Sequence, residues 1–392
     1  MEVEVRPGTV RGTILVPGSK SIAQRALILA TRDGGTVSNV PPGQDIDRLC
    51  EGLRALGFRV DERPGERTVA GNFSASDAEI DMGDNGTGAR CILALAALRD
   101  AATVVDGSPS LRRRPIGPLC EALRELGAEV SGDSFPVTVH GPIRGKAVRI
   151  ATDLSSQFAT ALILLVDRVK GLRVSVIGKR SFSYVTLTAW VGRNFEAPFL
   201  VEPDFSSAAS LAVAAATSGG DLVLEGLGLS SPQPDARIVP ILNRAGARVT
   251  GEEGGVRVAG PARRLQGIDV DLSNCPDLAP LLGAIGALAE GETLVKGAPH
   301  LVHKESDRIA STVEMVRALG GEAEPFDDGF RVVGGGNLRG GTISAAGDHR
   351  IAMAAAVLAL SVPGVTVTGA EAVRKSYPGF FRDLDSLTES RP

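Results

Sequence analysis

An apolar helix that begins with polar or charged residues recurs six times along this chain of 392 residues. The apolar runs cover residues 26–30, 91–98, 158–166, 208–216, 278–289 and 351–360. A helix that is apolar on nearly every side has to be buried inside a protein. The chain is therefore expected to bury six such helices.

A second pattern follows each apolar run. It is a short β-like run, usually followed by an amphipathic helix that ends at Gly. The β-like runs cover residues 36–37, 103–105, 173–176, 222–224, 293–295 and 365–367. Gly57, Gly127, Gly246 and Gly320 stand where a left-handed residue commonly ends a helix. The third copy is degenerate near residues 191–195, and the sixth is cut short at the C-terminus.

Six units of this kind predict an α/β repeat architecture. An open solenoid would carry polar capping repeats, whereas every unit here has an apolar helix to bury. We therefore predict two domains of three units each. If the helices of each domain run parallel, two facing domains would enclose a cleft lined by six polar helix starts.

Composition and charge exclude several classes of protein. A net charge of −4 and an aromatic content of 4% argue against a nucleic-acid-binding face or a base-stacking platform. Neither a secretion signal nor an uninterrupted run of membrane-spanning length is visible. Cys50, Cys91, Cys120 and Cys275 are isolated from one another, which favours reduced thiols and a cytoplasmic location.

Cations and hydroxyls gather at the helix starts, where free N–H groups and the helix dipole favour anions. The candidates there are Lys20, Ser21, Arg25, Arg90, Ser155, Ser156, Gln157, Asp277 and Arg350. Cationic loops add residues 112–114, 304–308 and 374–375. Each segment alone is better explained as a solvated helix end or a cap. Core packing, however, does not require the same residue types at the same place in several units.

So many cations predict a ligand with more than one negative group. Asp277 and Glu305 stand among them, although a site that only holds anions would avoid carboxylates. We expect these two residues to perform acid–base chemistry, with Lys20 as a third possible proton carrier.

Other kinds of site find little support. His300 and His303 lack a further metal ligand at suitable spacing, and no dinucleotide-binding, P-loop or nucleophile-elbow motif is present. We therefore expect neither a metal nor a cofactor.

Eight short motifs occur in an order typical of one family. They are Pro17-Gly-Ser-Lys-Ser with Arg25, Gly86-Thr87 with Arg90, Arg114-Pro-Ile-Gly117, Ser155-Ser-Gln157, Pro276-Asp277, Lys304-Glu-Ser-Asp-Arg308, Asp348-His-Arg350 and Lys375. Over essentially its whole length the chain resembles the enolpyruvyl transferases, and within them the branch that acts on shikimate 3-phosphate.

The resemblance implies a fold and an activity. The fold would be a two-domain inside-out α/β barrel of six βαβαββ repeats with buried parallel helices. Residues 19–201 would form one domain and residues 1–18 with 202–392 the other, with the active site in the interdomain cleft. The reaction would transfer the enolpyruvyl (carboxyvinyl) group of phosphoenolpyruvate to the 5-hydroxyl of shikimate 3-phosphate. Addition and elimination would release phosphate, as a step in aromatic amino acid biosynthesis.

The resemblance also implies roles for single residues. Asp277 would take the hydroxyl proton, and Glu305 with Lys20 would handle protons at the methylene. Phosphoenolpyruvate would be bound by Lys20, Gly86, Arg114, Gln157, Arg308, His349, Arg350 and Lys375. Shikimate 3-phosphate would be bound by Ser21, Arg25, Ser155, Ser156, Gln157, Ser181, Tyr184, Asp277 and Lys304. Gly86 further implies sensitivity to the herbicide glyphosate.

Four positions depart from the family pattern. Asp84 replaces an Asn, Ser183 replaces a Pro, and His300 and Val302 stand where an Asn and an Arg are usual. An enolpyruvyl transferase for a different cyclitol or sugar acceptor therefore stays open, as does a non-catalytic binder of phosphorylated metabolites.

The branch of the family that acts on UDP-N-acetylglucosamine is less favoured. Its reactive-loop cysteine is missing from residues 108–113, and Cys120 lies further along the chain. We expect a monomer that binds small-molecule substrates and neither nucleic acid nor membrane.

Overall fold

The computed structural model describes residues 1–390, which form two compact units. The central unit is Gly18–Glu202, and the terminal unit is Met1–Pro17 with the described residues from Pro203 on. Each unit encloses a hydrophobic core of its own.

Both units contain α-helices and β-strands along their whole length. The strands are β1 (Glu2–Glu4), β2 (Gly8–Leu15), β3 (Gly35–Ser38), β4 (Arg59–Arg63), β5 (Glu66–Ala70), β6 (Ala78–Asp81), β7 (Ala102–Asp106), β8 (Glu129–Ser131), β9 (Val137–His140), β10 (Ala147–Ala151), β11 (Arg173–Ile177), β12 (Phe199–Leu200), β13 (Asp221–Glu225), β14 (Arg248–Glu252), β15 (Gly255–Ala259), β16 (Asp269–Asp271), β17 (Glu292–Lys296), β18 (Glu322–Phe326), β19 (Gly329–Val333), β20 (Gly341–Ser344), β21 (Val365–Thr368) and β22 (Thr388–Ser390). The α-helices are α1 (Lys20–Asp33), α2 (Gln44–Ala55), α3 (Gly86–Ala96), α4 (Pro109–Arg112), α5 (Gly117–Glu125), α6 (Gln157–Ile163), α7 (Phe182–Asn194), α8 (Phe205–Ser218), α9 (Ile238–Arg244), α10 (Ala279–Leu288), α11 (Arg308–Arg317), α12 (His349–Ala359) and α13 (Phe380–Leu387). Short 3₁₀ turns cover Pro234–Arg237, Pro276–Leu278, Pro299–His303 and Ala370–Lys375.

The central unit contains three sheets. Their strand orders are β12-β3-β5-β4, β6-β7-β9-β8 and β10-β11. In the second and third sheets, two parallel strands are joined across a buried helix, which is α3 between β6 and β7 and α6 between β10 and β11. The third sheet lacks the antiparallel hairpin of the other two, which confirms that the third repeat is degenerate.

The terminal unit repeats this plan. Its sheets have the orders β14-β15-β13-β2-β22, β16-β17-β19-β18 and β1-β21-β20. In the sheet that follows α8, the parallel neighbour of β13 is β2, from the N-terminus of the chain. In the same way, the parallel neighbour of β3 in the central unit is the late strand β12. The terminal unit is therefore discontinuous in sequence because its first sheet needs an N-terminal strand.

The predicted apolar helices are buried, as expected. All residues of α12 are buried, and so are residues 279–287 of α10. In α3 every residue except Thr87 is buried. In the terminal unit α10 packs against α12, and both pack against α8. Small residues permit this close packing: a Cβ on Gly283 would lie 2.2 Å from Thr312 Cγ2 of the neighbouring α11. Polar residues at several helix starts meet, since a Cβ on Gly86 of α3 would lie 3.3 Å from Gln157 Oε1 of α6, and Arg350 of α12 lies 2.8 Å from Asp277 in the turn before α10.

Glycine ends the amphipathic helices where the sequence predicts it. Gly57, Gly127, Gly246 and Gly320 have φ values of 108°, 98°, 102° and 78°. These positive φ values disfavour a side chain, and glycine avoids that strain.

The four cysteines are buried free thiols. Burial raises the pKa of Cys50, Cys91 and Cys120 to about 11 and that of Cys275 to about 12, so the thiols stay protonated at neutral pH. Within residues 1–390, His, Cys, Asp and Glu form no cluster of three or more that could hold a metal ion. Among those residues, no helix has the length and apolar character needed to cross a membrane.

Candidate active site

Lys20 opens α1 and pairs with a carboxylate that sequence analysis overlooked. Its Nζ lies 2.7 Å from Asp45 Oδ2, in the first turn of α2. The backbone carbonyl of Asp45 accepts a hydrogen bond from Asn85 Nδ2, and Asn85 in turn caps α3. Asp45 therefore fixes both the ammonium group and the start of the neighbouring helix. An acidic residue in a first helical turn was the available signal.

Three polar side chains converge on Gly86, the first residue of α3. A Cβ built at this glycine would lie 3.1 Å from Arg114 Nη1, 3.1 Å from Arg90 Nη1 and 3.3 Å from Gln157 Oε1. Arg90 donates to the carbonyls of Gly86 and Pro115, and Arg114 donates to the carbonyl of Asp84. The result is a cationic surface next to a helix N-terminus, which is a suitable environment for an anion.

Arg25 links three helices of the central unit. Its Nε lies 2.8 Å from Thr188 Oγ1 in α7, its Nη2 lies 3.1 Å from Thr160 Oγ1 in α6, and its Nη1 donates to the carbonyl of Ser21. Burial lowers the pKa of Arg25 from its ordinary value, although the group remains a cation at neutral pH. Arg25 is thus a positive charge held in one position by contacts with α1, α6 and α7.

The predicted hydroxyl residues lie at three helix starts, with Ser21 in the first turn of α1 and the others at the starts of α6 and α7. Ser155 Oγ accepts a hydrogen bond at 3.2 Å from the backbone N–H of Gln157, the first residue of α6. Ser156 and Ser181 are buried, and Ser181 precedes α7 with a φ of 51°. Tyr184 lies in the first turn of α7, and its N–H donates to the carbonyl of Ser181.

Arg308, at the start of α11, is the centre of the terminal-unit cluster. Its guanidinium reaches Asp348 Oδ2 at 2.7 Å, Asp277 Oδ1 at 2.7 Å and Glu305 Oε2 at 3.0 Å. Only 1% of its side chain is exposed. Burial by itself would lower the pKa of Arg308, but the three carboxylates hold that pKa well above its usual value. The guanidinium is therefore permanently charged and fixed in direction.

Asp277 is surrounded by positive charge. Arg350 Nη2 lies 2.8 Å from its Oδ2, and Lys304 Nζ lies 3.5 Å from its Oδ1. Burial favours the neutral acid, but Arg350, Lys304 and Arg308 outweigh it and hold the pKa of Asp277 well below its ordinary value. Asp277 is therefore ionised in this structure.

Glu305 shares the same cluster. Lys375 Nζ lies 2.6 Å from Glu305 Oε1, and Arg308 binds its other carboxylate oxygen. The two predicted acid–base residues, Asp277 and Glu305, are thus brought onto one guanidinium by tertiary structure.

Asp348 and Asp235 complete the cluster, although the sequence assigned neither a role. Asp348 is fully buried, accepts the backbone N–H of Arg350 at 2.9 Å and thereby caps α12, next to the buried His349. Asp235 Oδ2 lies 3.7 Å from Arg350 Nη1. The cations Lys304, Arg308, Arg350 and Lys375 are therefore matched by the carboxylates Asp235, Asp277, Glu305 and Asp348.

The four departures from the family pattern have different surroundings. Asp84 is exposed and accepts a hydrogen bond from the Ser108 hydroxyl. Ser183 lies in the first turn of α7. His300 is buried in the 3₁₀ turn that precedes Lys304, whereas 41% of Val302 in the same turn is exposed.

Comparison with known proteins identifies the family. Residues 5–198 and 191–384 each match the model of the family described as EPSP synthase (3-phosphoshikimate 1-carboxyvinyltransferase). The chain belongs to the EPSP synthase family. This confirms the predicted membership of the enolpyruvyl transferases, and the enzyme class expected from the sequence agrees with that of the family.

Individual members of the EPSP synthase family align with nearly the whole chain. The 3-phosphoshikimate 1-carboxyvinyltransferase of Methanopyrus kandleri is 38% identical over 96% of both chains. The protein of that name from Methanothermobacter thermautotrophicus is 36% identical over 96% of this chain and 95% of its own.

Solved structures confirm the predicted fold class. An EPSP synthase from Acinetobacter baumannii matches with a TM-score of 0.80 and 26% identity, over 99% of this chain and 98% of that one. The enolpyruvyl transferase NikO from Streptomyces tendae has a TM-score of 0.74 and 17% identity, over 98% and 96% of the two chains, and shows the shared fold alone.

Proposed function

We propose that this chain transfers the enolpyruvyl group of phosphoenolpyruvate to the 5-hydroxyl of shikimate 3-phosphate and releases phosphate. The observation that carries the proposal is the pair of carboxylates, Asp277 and Glu305, held on the buried guanidinium of Arg308. A site that only binds anions has no use for carboxylates beside its cations. Acid–base chemistry on an anionic substrate requires both.

The reaction has an addition step and an elimination step. In the addition step the acceptor oxygen bonds to C2 of phosphoenolpyruvate, the hydroxyl loses its proton, and the methylene carbon gains one. In the elimination step the methyl carbon loses a proton while the C2–O bond to phosphate breaks. The enzyme therefore needs a base for the hydroxyl, a group that gives and takes a proton at carbon, and cations for the phosphate and carboxylate.

We assign the cations to phosphoenolpyruvate. In the terminal unit Arg308, Arg350 and Lys375 would bind its anionic groups, next to His349. In the central unit Lys20, Arg114 and Gln157 would do so, over the space that the missing side chain of Gly86 leaves open. Bidentate guanidinium contacts suit both carboxylate and phosphate.

We assign the proton transfers to the carboxylates. Arg350, Lys304 and Arg308 hold the pKa of Asp277 well below its ordinary value, which makes its carboxylate a weak base. Anionic substrate groups that bind Arg350 and Arg308 would offset this positive charge, raise the pKa of Asp277 and strengthen it as the base for the acceptor hydroxyl. Glu305, paired with Lys375, would exchange the proton at the methylene carbon together with Lys20.

We assign the acceptor to residues at other helix starts. Arg25, with its fixed guanidinium, would bind the phosphorylated cyclitol together with Lys304. The remaining contacts would come from Ser21, Ser155, Ser156, Gln157, Ser181 and Tyr184.

We further propose that the protein acts as a cytoplasmic monomer without a cofactor. The domain boundaries and the interdomain cleft expected from the sequence remain predictions.

Phosphate release measured with both substrates tests the proposal. We expect release that requires phosphoenolpyruvate and shikimate 3-phosphate together and that falls by at least about 100-fold in Asp277→Asn and Glu305→Gln. The exposed Asp327→Asn removes the same charge elsewhere in the terminal unit and serves as the matched control. Binding of phosphoenolpyruvate without release under any condition would instead support a non-catalytic binder.

A transferase for a related acceptor is the second candidate. It is favoured by Val302, which is exposed two residues before Lys304 where the family pattern has an Arg. Release that is absent with shikimate 3-phosphate but occurs with another phosphorylated cyclitol or sugar would establish it. Val302→Arg would then be expected to restore activity with shikimate 3-phosphate.

A further inference from the structure

A second buried carboxylate, that of Asp235, shares Arg350 with Asp277. Arg350 Nη2 lies 2.8 Å from Asp277 Oδ2, and Arg350 Nη1 lies 3.7 Å from Asp235 Oδ2. The guanidinium thus holds two carboxylates with two different nitrogens. A ligand anion that binds Arg350 has to compete with both.

We propose that Asp235 is a positioning residue for Arg350 and takes up one proton from solvent when phosphoenolpyruvate binds. The proposal rests on the proposed function, in which Arg350 binds an anionic group of that substrate. No covalent bond changes in this step. One negative charge arrives at Arg350, and one negative charge is neutralised at Asp235.

The surroundings of Asp235 make its charge depend on Arg350. Only 1% of Asp235 is exposed, its Oδ2 accepts a hydrogen bond from the Ser206 hydroxyl at the start of α8, and its Oδ1 has no hydrogen-bond partner within residues 1–390. The charged groups that act on it are Arg350 from α12, Asp277 from the 3₁₀ turn before α10, and Asp204 from the cap of α8. Arg350 favours its ionised form, and the other two oppose it.

Nearby groups on the remaining elements do not replace Arg350. Cys275, before α10, is a neutral thiol because burial raises its pKa to about 12. Arg237, on the same 3₁₀ turn as Asp235, is exposed to solvent. Burial raises the pKa of Asp235 to about 6 even with Arg350 in place, so a weaker Arg350 interaction moves that pKa further toward neutrality.

Asp277 is a poorer site for this proton. A ligand that binds Arg350 and Arg308 offsets part of their charge, but Asp277 still has Lys304 at 3.5 Å as a third cation besides Arg308 at 2.7 Å. Asp235 would face the ligand-occupied Arg350 and two carboxylates. The proton therefore binds to Asp235, which pairs with no second cation among the described residues to replace the positive charge of Arg350.

Calorimetry can count this proton. Phosphoenolpyruvate is titrated into the full chain at fixed pH in two buffers of different ionisation enthalpy, with Asp235→Asn compared with the wild type. Because the phosphate group of the substrate can also exchange protons, the difference between the two proteins is the decisive quantity. We expect the wild type to take up close to one additional proton per site in a pH window above about 6, and a difference near zero at about pH 5.

Linkage fixes the sign of the accompanying affinity change. Within that window the affinity of the wild type for phosphoenolpyruvate should fall with rising pH by up to about tenfold per pH unit more than that of Asp235→Asn. The profile of kcat/KM for phosphoenolpyruvate should show the same difference. Asp327→Asn, which removes an exposed charge, should behave as the wild type.

A second variant keeps the carboxylate. Ser206→Ala removes the hydroxyl that donates to Asp235 and should shift the window of proton uptake to higher pH, because the ionised form loses a donor. Equal proton counts in wild type and Asp235→Asn, or an unshifted window in Ser206→Ala, would overturn the proposal while leaving the proposed function in place. A wild type that neither binds nor turns over phosphoenolpyruvate would overturn both.

Discussion

Arg308 Nε lies 2.7 Å from Asp348 Oδ2, and the same aspartate accepts the backbone N–H of Arg350 as the cap of α12. One buried carboxylate thus sets the direction of one guanidinium and the position of the next. Arg308 is the first residue of α11 and Asp348 is the N-cap of α12, so the contact also joins these two helices. This geometry makes the orientation of Arg308 testable apart from its charge.

Arg308→Lys should keep the positive charge and lose the planar fork that reaches three carboxylates. We expect kcat/KM for phosphoenolpyruvate to fall by about 100-fold, because misplacement of a binding group costs about that much. Steady-state phosphate release measures the change. The exposed Arg339→Lys is the control, and an unchanged kcat/KM in Arg308→Lys would contradict the assignment.

Gly86→Ala should crowd phosphoenolpyruvate, since its methyl would lie 3.1 Å from Arg90 Nη1 and Arg114 Nη1. We expect the wild type to be inhibited by glyphosate, and the variant to show a KM for phosphoenolpyruvate about tenfold higher, consistent with about 1–3 kcal/mol of overpacking. Its inhibition constant for glyphosate should rise at least as much. Gly192→Ala in α7, where a methyl meets open space, is the matched control.

Should Gly86→Ala bind both compounds as the wild type does, the space at Gly86 would not belong to the phosphoenolpyruvate site. Inhibition assays with each compound varied in turn would show this directly.

Arg25→Lys should weaken binding of the acceptor and leave phosphoenolpyruvate unaffected. The ammonium of a lysine cannot reach Thr160, Thr188 and the Ser21 carbonyl together as the guanidinium does. We expect KM for shikimate 3-phosphate to rise about tenfold, and KM for phosphoenolpyruvate to change less than about twofold. Equal increases in both constants would indicate a general loss of structure, and the exposed Arg59→Lys provides the reference.

Asp277→Asn should destabilise the fold at neutral pH because it leaves Arg308, Arg350 and Lys304 with less compensating charge. Loss of one partner from a buried ion pair costs about 3–5 kcal/mol. The pKa of Asp277 lies below its ordinary value in the folded state, so this stabilisation is present above the unfolded value of 3.8 and is lost as the pH falls through the folded value.

Urea unfolding of wild type and Asp277→Asn at several pH values measures this dependence. The difference in unfolding free energy should be largest near neutral pH and should shrink below about pH 4. A difference that is independent of pH would show that Asp277 stabilises the fold through packing and not through its charge. Asp327→Asn, in an exposed position, should show little difference at any pH.

Much of the fold was predictable because it follows from local periodicity. The apolar run after Asp348 predicts a buried helix, and α12 is buried along its whole length. Gly127 predicts the end of an amphipathic helix, and its φ of 98° fits that position. Periodicity did not predict the pairing of β2 with β13, because residues about 200 apart share no local pattern, and only the family resemblance grouped the N-terminal residues with the C-terminal part of the chain.

The candidate site, like the fold, has features that follow from local sequence and features that depend on long-range contacts. The sequence by itself determined which residue types stand at the helix starts, since a cap, a cation and an apolar run lie within a few residues of one another. Only the tertiary structure decided which carboxylate each cation meets. Asp45 meets Lys20 and Asp235 meets Arg350 because separate segments of the chain fold against each other. Burial then determines how strongly the paired charges interact, because it lowers the local dielectric constant.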